Sequence, residues 1–161
     1  MSLNPYEVAL GEHSPVEVLA STPEKLEALF SQLSAEQIDR KPAPHKWSVR
    51  EVMAHLADCE MAFGFRLRQA AAGVEMIQPF DQDDWAHNYA AYSFPAALTT
   101  YRVVRGWNLA FIRSLTDEQK AQVVTHPERG TMTVWTIVET MAGHDRHHLA
   151  GLAKLEDLLA S

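Results

Sequence analysis

Trp47-Ser48-Val49-Arg50-Glu51-Val52-Met53-Ala54-His55-Leu56-Ala57-Asp58 starts a long helix and sets a histidine on its apolar flank. Ser48 and Glu51 have capping-box spacing: the hydroxyl can accept from the N3 amide while the N3 carboxylate accepts from the N-cap amide. Trp47 at N′ and Val52 at N4 are placed for a hydrophobic staple. Upstream, Lys41-Pro-Ala-Pro-His-Lys46 is extended, because each proline pushes its predecessor out of the α region. Downstream, Val52, Leu56, Cys59, Phe63, Leu67 and Ala70 recur every three or four positions, as one helix face does. The pattern runs to about Ala72, and Gly73 supplies a C-cap.

Three further segments share this period. Pro15 follows Ser14 as an N1 proline does, and the first helix covers roughly residues 15–33. Pro23 lies inside it and either kinks or restarts it, with Ser21 and Glu24 in capping-box spacing. Ser34-Ala-Glu-Gln37 begins a short helical turn. Residues 74–94 are irregular, with a short helix near Asp83–Ala91. Here Trp85, Tyr89 and Tyr92 cover the end of the fold; the alternative is a pocket wall. A third long helix runs from Phe94-Pro95 to about Ser114, its face drawn from Leu98, Tyr101, Val104 or Arg105, Leu109 and Ile112. Thr116-Asp-Glu-Gln119 caps another short helix, and His126-Pro-Glu-Arg-Gly-Thr131 reads as a polar turn. The fourth long helix starts near Thr133 and reaches Leu159, with Val134, Ile137, Met141, Leu152, Leu155 and Leu159 on one stripe. Strand-like alternation is sparse. The expected fold is all-α: a four-helix bundle with short extra helices in its connections. A chain of 161 residues suits one domain over 1–161 with one sizeable core.

Fourteen Lys and Arg face 21 Asp and Glu, a net charge of −7, with no clustered basic patch beyond Arg66 and Arg68. Nucleic acid is therefore an unsuitable partner. No apolar run is long enough to span a bilayer. The first residues lack a basic segment followed by an apolar one, so the expected location is cytoplasmic and the expected partner a small molecule. The one cysteine, Cys59, allows no internal disulfide and reads as a buried thiol.

The histidines carry the functional signal. At about 100° per residue, His144 and His148 fall within about 50° of the centre of the fourth helix's stripe. His147 falls roughly 110° away, at the polar border. His55 lies roughly 80° from the centre of its own stripe, facing a neighbouring helix. Side chains at i and i+4 stack on one face, so His144 and His148 can share one ion. His144 is followed by Asp145 rather than Glu, which removes the general base of the zinc metalloproteases. One core histidine alone is more simply a hydrogen-bonded side chain. Three together, with polar nitrogens costing ~1–3 kcal/mol each if left unpaired, point to a divalent metal. Three protein ligands leave a coordination position open, as catalytic sites do, and imidazole suits Zn, Ni, Cu or Fe(II). Among the carboxylates Glu60 is the better candidate to orient a ligand histidine; Asp58 and Asp145 read as surface groups, the alternative for Asp145 being a hydrogen bond across to another helix. His13, His45, His87 and His126 read as solvated.

Together, Lys46-Trp-Ser-Val-Arg-Glu-Val-Met-Ala-His-Leu-Ala-Asp58, Phe80-Asp-Gln-Asp-Asp-Trp85, His126-Pro-Glu-Arg-Gly-Thr131 and Gly143-His-Asp-Arg-His-His-Leu149 resemble the DinB-like family. That family is unrelated to the DNA polymerase of the same name, and it includes the YfiT-like proteins grouped as metal-dependent hydrolases. The resemblance covers nearly the whole chain. It implies a four-helix bundle with a Ni- or Zn-type site on His55, His144 and His148, and often a homodimer. It also implies enzymes that activate a low-molecular-weight thiol or a water, with thiol S-transfer preferred here. A metal-dependent hydrolase, or a non-enzymatic stress-related binding module whose histidines only fill a core, are the alternatives.

Overall fold

The computed structural model describes residues 3–160, with side chains through Leu155. In chain order the elements are α1 (Glu7–Leu10), α2 (Pro15–Phe30), α3 (Ala35–Asp39), α4 (Val49–Ala71) and α5 (Gln82–Ala86). A 3₁₀ turn (Tyr89–Ala91), α6 (Phe94–Ser114), α7 (Asp117–Ala121), β1 (Val123–His126), β2 (Gly130–Thr133) and α8 (Val134–Ala160) follow. The four long helices α2, α4, α6 and α8 form the bundle: α4 packs on α6 and α8, and α2 packs on the same two. None of the described helices is long and apolar enough to cross a membrane.

Local chemistry starts the helices where the sequence indicates. Ser48 Oγ accepts from the Glu51 amide at 3.2 Å, and the Ser48 amide donates to Glu51 Oε2 at 2.8 Å. Equivalent boxes form at Ser34/Gln37 and Thr116/Gln119. Gly73 takes φ 84° just past α4, the left-handed conformation that a glycine adopts without a Cβ clash.

Pro23 does not restart a helix; α2 runs through it. The Ser21–Glu24 box does not form, since Ser21 Oγ and Thr22 Oγ1 both donate back to the Val18 carbonyl. A proline has no N–H, so the Leu19 carbonyl four residues earlier loses its helical donor. Arg105 Nη1 from α6 donates to Leu19 O instead, at 3.0 Å. Of the two options for the α6 face, Arg105 is the buried one, and Val104 lies at the margin.

The chain departs from an all-helical reading between α7 and α8. Val123–His126 and Gly130–Thr133 pair as an antiparallel hairpin, with Val124 opposite Met132 and both buried. His126-Pro-Glu-Arg-Gly is thus the hairpin's loop, closed by Gly130 at φ 91°. Four residues per strand are too few for alternation to register as a pattern. The segment after α4 adds to the hairpin: Met76 bridges Thr125, Thr125 N donates to Glu75 O at 2.9 Å, and Ile77 N donates to Thr125 O at 3.1 Å. The helix expected near Asp83–Ala91 is split into α5 and the 3₁₀ turn.

The apolar core lies in two clusters. One gathers Leu19, Cys59, Phe63, Leu67, Leu109, Ile112, Val138 and Met141; the other gathers Leu26, Met53, Leu56, Tyr101 and Leu152. Along each long helix the changeover falls at buried polar residues: Thr22 on α2, Glu60 beside Cys59 on α4, Arg105 on α6, and His144 with Asp145 on α8. A polar belt therefore crosses the bundle at mid-height.

Candidate metal centre

Helix α4 brings His55 to this belt, and α8 brings His144 and His148. One ring nitrogen from each lies within 4.8 Å of the other two. His55 Nε2 and His144 Nε2 are 3.1 Å apart. Ring centroids are 5.1 Å apart for His55 and His144, 4.9 Å for His55 and His148, and 4.4 Å for His144 and His148. His55 and His144 are buried and His148 half-buried, while His147 is exposed, as the helical wheel predicts. His55 Nδ1 lies 3.3 Å from the Tyr89 hydroxyl, and the Trp47 ring covers the same imidazole at 4.9 Å. The N′ tryptophan thus helps to enclose the histidine two turns further on. Cys59 Sγ is 3.6 Å from His55 Nε2. The thiol is buried, as expected, and burial pushes its pKa far up, so it is held as SH.

Burial also sets the charge of the imidazoles. It lowers His55 to about 4. Burial, then the neighbouring His55 and His147, lowers His148 to about 3. His144 lies well below its ordinary value because of burial and then because of His148 and His55. At neutral pH all three rings are uncharged and each has one lone pair to give.

The carboxylates behave differently from the sequence reading. Glu60 orients no histidine: Oε2 accepts from Arg105 Nη2 at 2.7 Å, and Oε1 accepts from Asn108 Nδ2 at 2.8 Å. Asp145 is fully buried, not a surface group. Its Oδ2 accepts from Arg105 Nη1 at 2.6 Å, its Oδ1 from Arg105 Nη2 at 3.1 Å, and the Tyr101 hydroxyl donates to Oδ2 at 3.2 Å. This forked pair fixes the rotation of α8 one residue after His144. His126, expected to be solvated, is buried, and its Nδ1 accepts from the Glu128 amide at 3.2 Å. His13, His45 and His87 are exposed.

Two cavities reach the histidines, one at His144 and one at His148. One, of about 480 Å³, is lined by His144, Cys59, Tyr6, Arg66, His126 and Arg129, among others. The other, of about 790 Å³, is lined by His148, Trp47, Val52, Leu152 and Leu155, with Lys46 and Lys154 at its polar side. Gln82 borders both. Tyr89 and Tyr6 were not legible as site residues. Tyr89 sits in an irregular segment and is buried in the core against His55. Tyr6 arrives through close packing at Gly143, where a Cβ would stand 2.5 Å from the Tyr6 carbonyl oxygen. Its ring meets His144 edge-on at 5.2 Å.

A four-helix bundle with three neutral histidines converging from two helices, and two cavities reaching them, defines a class of small helical proteins built around a ligand-binding centre. Residues 19–152 match the DinB superfamily, and the chain belongs to it. Relatives include the Oceanobacillus iheyensis protein named "Putative metal-dependent hydrolase OB0782", 29% identical over 137 residues, which are 83% of this chain and 78% of that protein. "Putative metal-dependent hydrolase YfiT" of Bacillus subtilis is 26% identical over 144 residues, 87% of this chain and 81% of that protein. The solved structure of YfiT, described as "a probable metal-dependent hydrolase with an unusual four-helix bundle topology", aligns with a TM-score of 0.83 and 25% identity. The alignment covers 91% of this chain and 86% of that one.

Proposed function

We propose that this protein is a metal-dependent enzyme in which His55, His144 and His148 hold one divalent ion, Zn or Ni, and turn a small electrophilic substrate toward it. The convergence of three uncharged imidazoles carries the reading. Two nitrogens bound to one tetrahedral ion at ~2.0–2.1 Å lie roughly 3.3 Å apart; the Nε2 atoms of His55 and His144 are 3.1 Å apart. Without an ion this contact requires one ring to carry its proton on Nε2. With both lone pairs engaged, the His55 proton sits on Nδ1, where the Tyr89 oxygen can accept it and hold the ring in place. When bound, the ion supplies Lewis acidity and lowers the pKa of a water or thiol at the open position. The chain contributes orientation through Tyr89 and Trp47, and a belt fixed by Arg105.

The relatives' names favour hydrolysis. Thiol S-transfer is the second reading, and the two cavities that reach the histidines favour it, because each could admit one reactant. Elemental analysis of protein carrying no histidine tag tests the metal: about one Zn or Ni per chain is expected. A protein that contains no metal and whose melting ignores both added metal and chelator would sink the proposal. Mass spectrometry of products from a generic electrophile, with and without several low-molecular-weight thiols, separates the two reactions. A thiol adduct above the metal-free control means transfer; a hydrolysed product alone means hydrolysis.

A further inference from the structure

Arg66 is 6% exposed and, among the described residues, has no carboxylate within ion-pair distance. Its Nε and Nη2 both donate to the Gln78 carbonyl, at 2.9 and 2.7 Å, and its guanidinium lies over the Phe80 ring. Nη1 is left without a bond among the described residues. Arg129 likewise pairs with no carboxylate there, in a chain where Arg50, Arg102 and Arg105 each sit on one. Both line the 480 Å³ cavity that His144 also lines. Burial and then Arg129 lower the pKa of Arg66, and the exposed Glu128 only partly offsets them. His126 adds a third donor to this wall: its Nδ1 accepts from the Glu128 amide, so the neutral ring carries its proton on Nε2. Two acidic residues border the cavity. Asp81 spends Oδ1 on the amides of Asp83 and Asp84 at the start of α5, and Glu128 is exposed on the hairpin loop.

A buried guanidinium whose only nearby counter-charge is a solvent-exposed carboxylate is costly, and a second guanidinium beside it adds repulsion. Such an arrangement is relieved by an anion, and arginine forks suit planar carboxylates and phosphates alike. The overall charge of −7 makes the concentration of donors on this wall more specific, because no general basicity explains it.

We infer that the cavity beside His144 binds the anionic group of a small carboxylate or phosphate ester, held by Arg66, Arg129 and the Nε2–H of His126. This deepens the metal reading by naming the substrate class, with the rest of the molecule directed at the histidines. Calorimetric titration with malonate, inorganic phosphate and the neutral control malonamide tests it, on protein as purified and after chelation. Wild type is expected to bind malonate or phosphate and not malonamide, in both preparations. Arg129→Gln, at a half-exposed position, is expected to weaken binding at least about tenfold with unchanged melting, whereas Arg113→Gln, exposed on α6 and outside the cavity lining, changes nothing. Tighter binding of malonate marks a carboxylate substrate, and tighter binding of phosphate marks a phosphate ester. Binding that survives Arg129→Gln but disappears on chelation places the anion on the ion alone and overturns the inference while upholding the metal. No binding of either anion also overturns it, and leaves the metal content to decide the metal reading separately.

Discussion

His55 and His148 are neutral in the fold but can be charged in the unfolded chain. Burial lowers their pKa values to about 4 and about 3, against an unfolded value near 6.5. Above pH 6.5 both states are neutral and the histidines make no pH-dependent contribution. Below it, the unfolded chain takes up protons that the folded one refuses, so stability falls as pH drops toward 4 and then 3. His144, lowered in the same sense, acts in the same direction. Urea melts of chelated protein should show a lower midpoint at pH 5 than at pH 7.5; equal midpoints would contradict buried neutral imidazoles. Replacing one ligand tests function separately: His144→Ala should abolish stoichiometric metal. A binding module whose histidines only fill space would instead lose stability with its metal content unaffected. At Arg105 the stakes are structural. Arg105→Met strands Glu60 and Asp145 as adjacent buried carboxylates and should cost about 3–5 kcal/mol in chemical denaturation. A loss under 1 kcal/mol would mean that the belt is not held by this ion pair.

Each long helix meets its neighbours through small, checkable approaches. At Gly143 a methyl group would stand 2.5 Å from the Tyr6 carbonyl oxygen, so α8 touches the segment before α1 with no room to spare. Gly143→Ala should push Tyr6 off His144 and cost about 1–3 kcal/mol, with the metal retained because all three histidines lie on α4 and α8. Loss of the metal in a folded Gly143→Ala protein would show that Tyr6 shapes the centre. Helix starts were legible in the sequence because capping is local: Ser48 and Glu51 satisfy each other across three residues, as do Ser34 with Gln37 and Thr116 with Gln119. The three histidines were legible for a related reason, since helical phase alone turns His144 and His148 inward and His147 out. The hairpin was not legible. It forms because Val124 and Met132 meet in the core and because residues 75–77 supply a further backbone partner. Pairings between separate segments leave no periodic trace.

The long connections do more than link helices. The Gln78–Gln82 stretch and the hairpin loop together build the arginine-bearing wall of the cavity beside His144, so the bundle supplies the histidines and the crossovers supply the approach to them. Arg66 joins the two, reaching from α4 to the Gln78 carbonyl. Of the two readings of Asp145, the hydrogen bond across to another helix is the one that forms; the sequence could not name its partner, because Arg105 lies 40 residues away. For the whole protein, a single ion that binds only the folded state adds about 3–4 kcal/mol when present at several hundred to a thousand times its dissociation constant. Added Zn or Ni should raise the melting temperature and a chelator should lower it; identical curves would argue against a site built in the folded chain. The proline in α2 bears on how that folded chain is reached. A helix missing one donor in its middle turn cannot complete itself, and the donor that fills the gap belongs to Arg105, 86 residues beyond the Leu19 carbonyl it reaches. The N-terminal helix can form early as a fluctuating coil of turns, but it becomes fully bonded only when α6 has docked. Folding of the first 30 residues is thereby made conditional on chain beyond position 100, and the two helices should gain protection against amide exchange together.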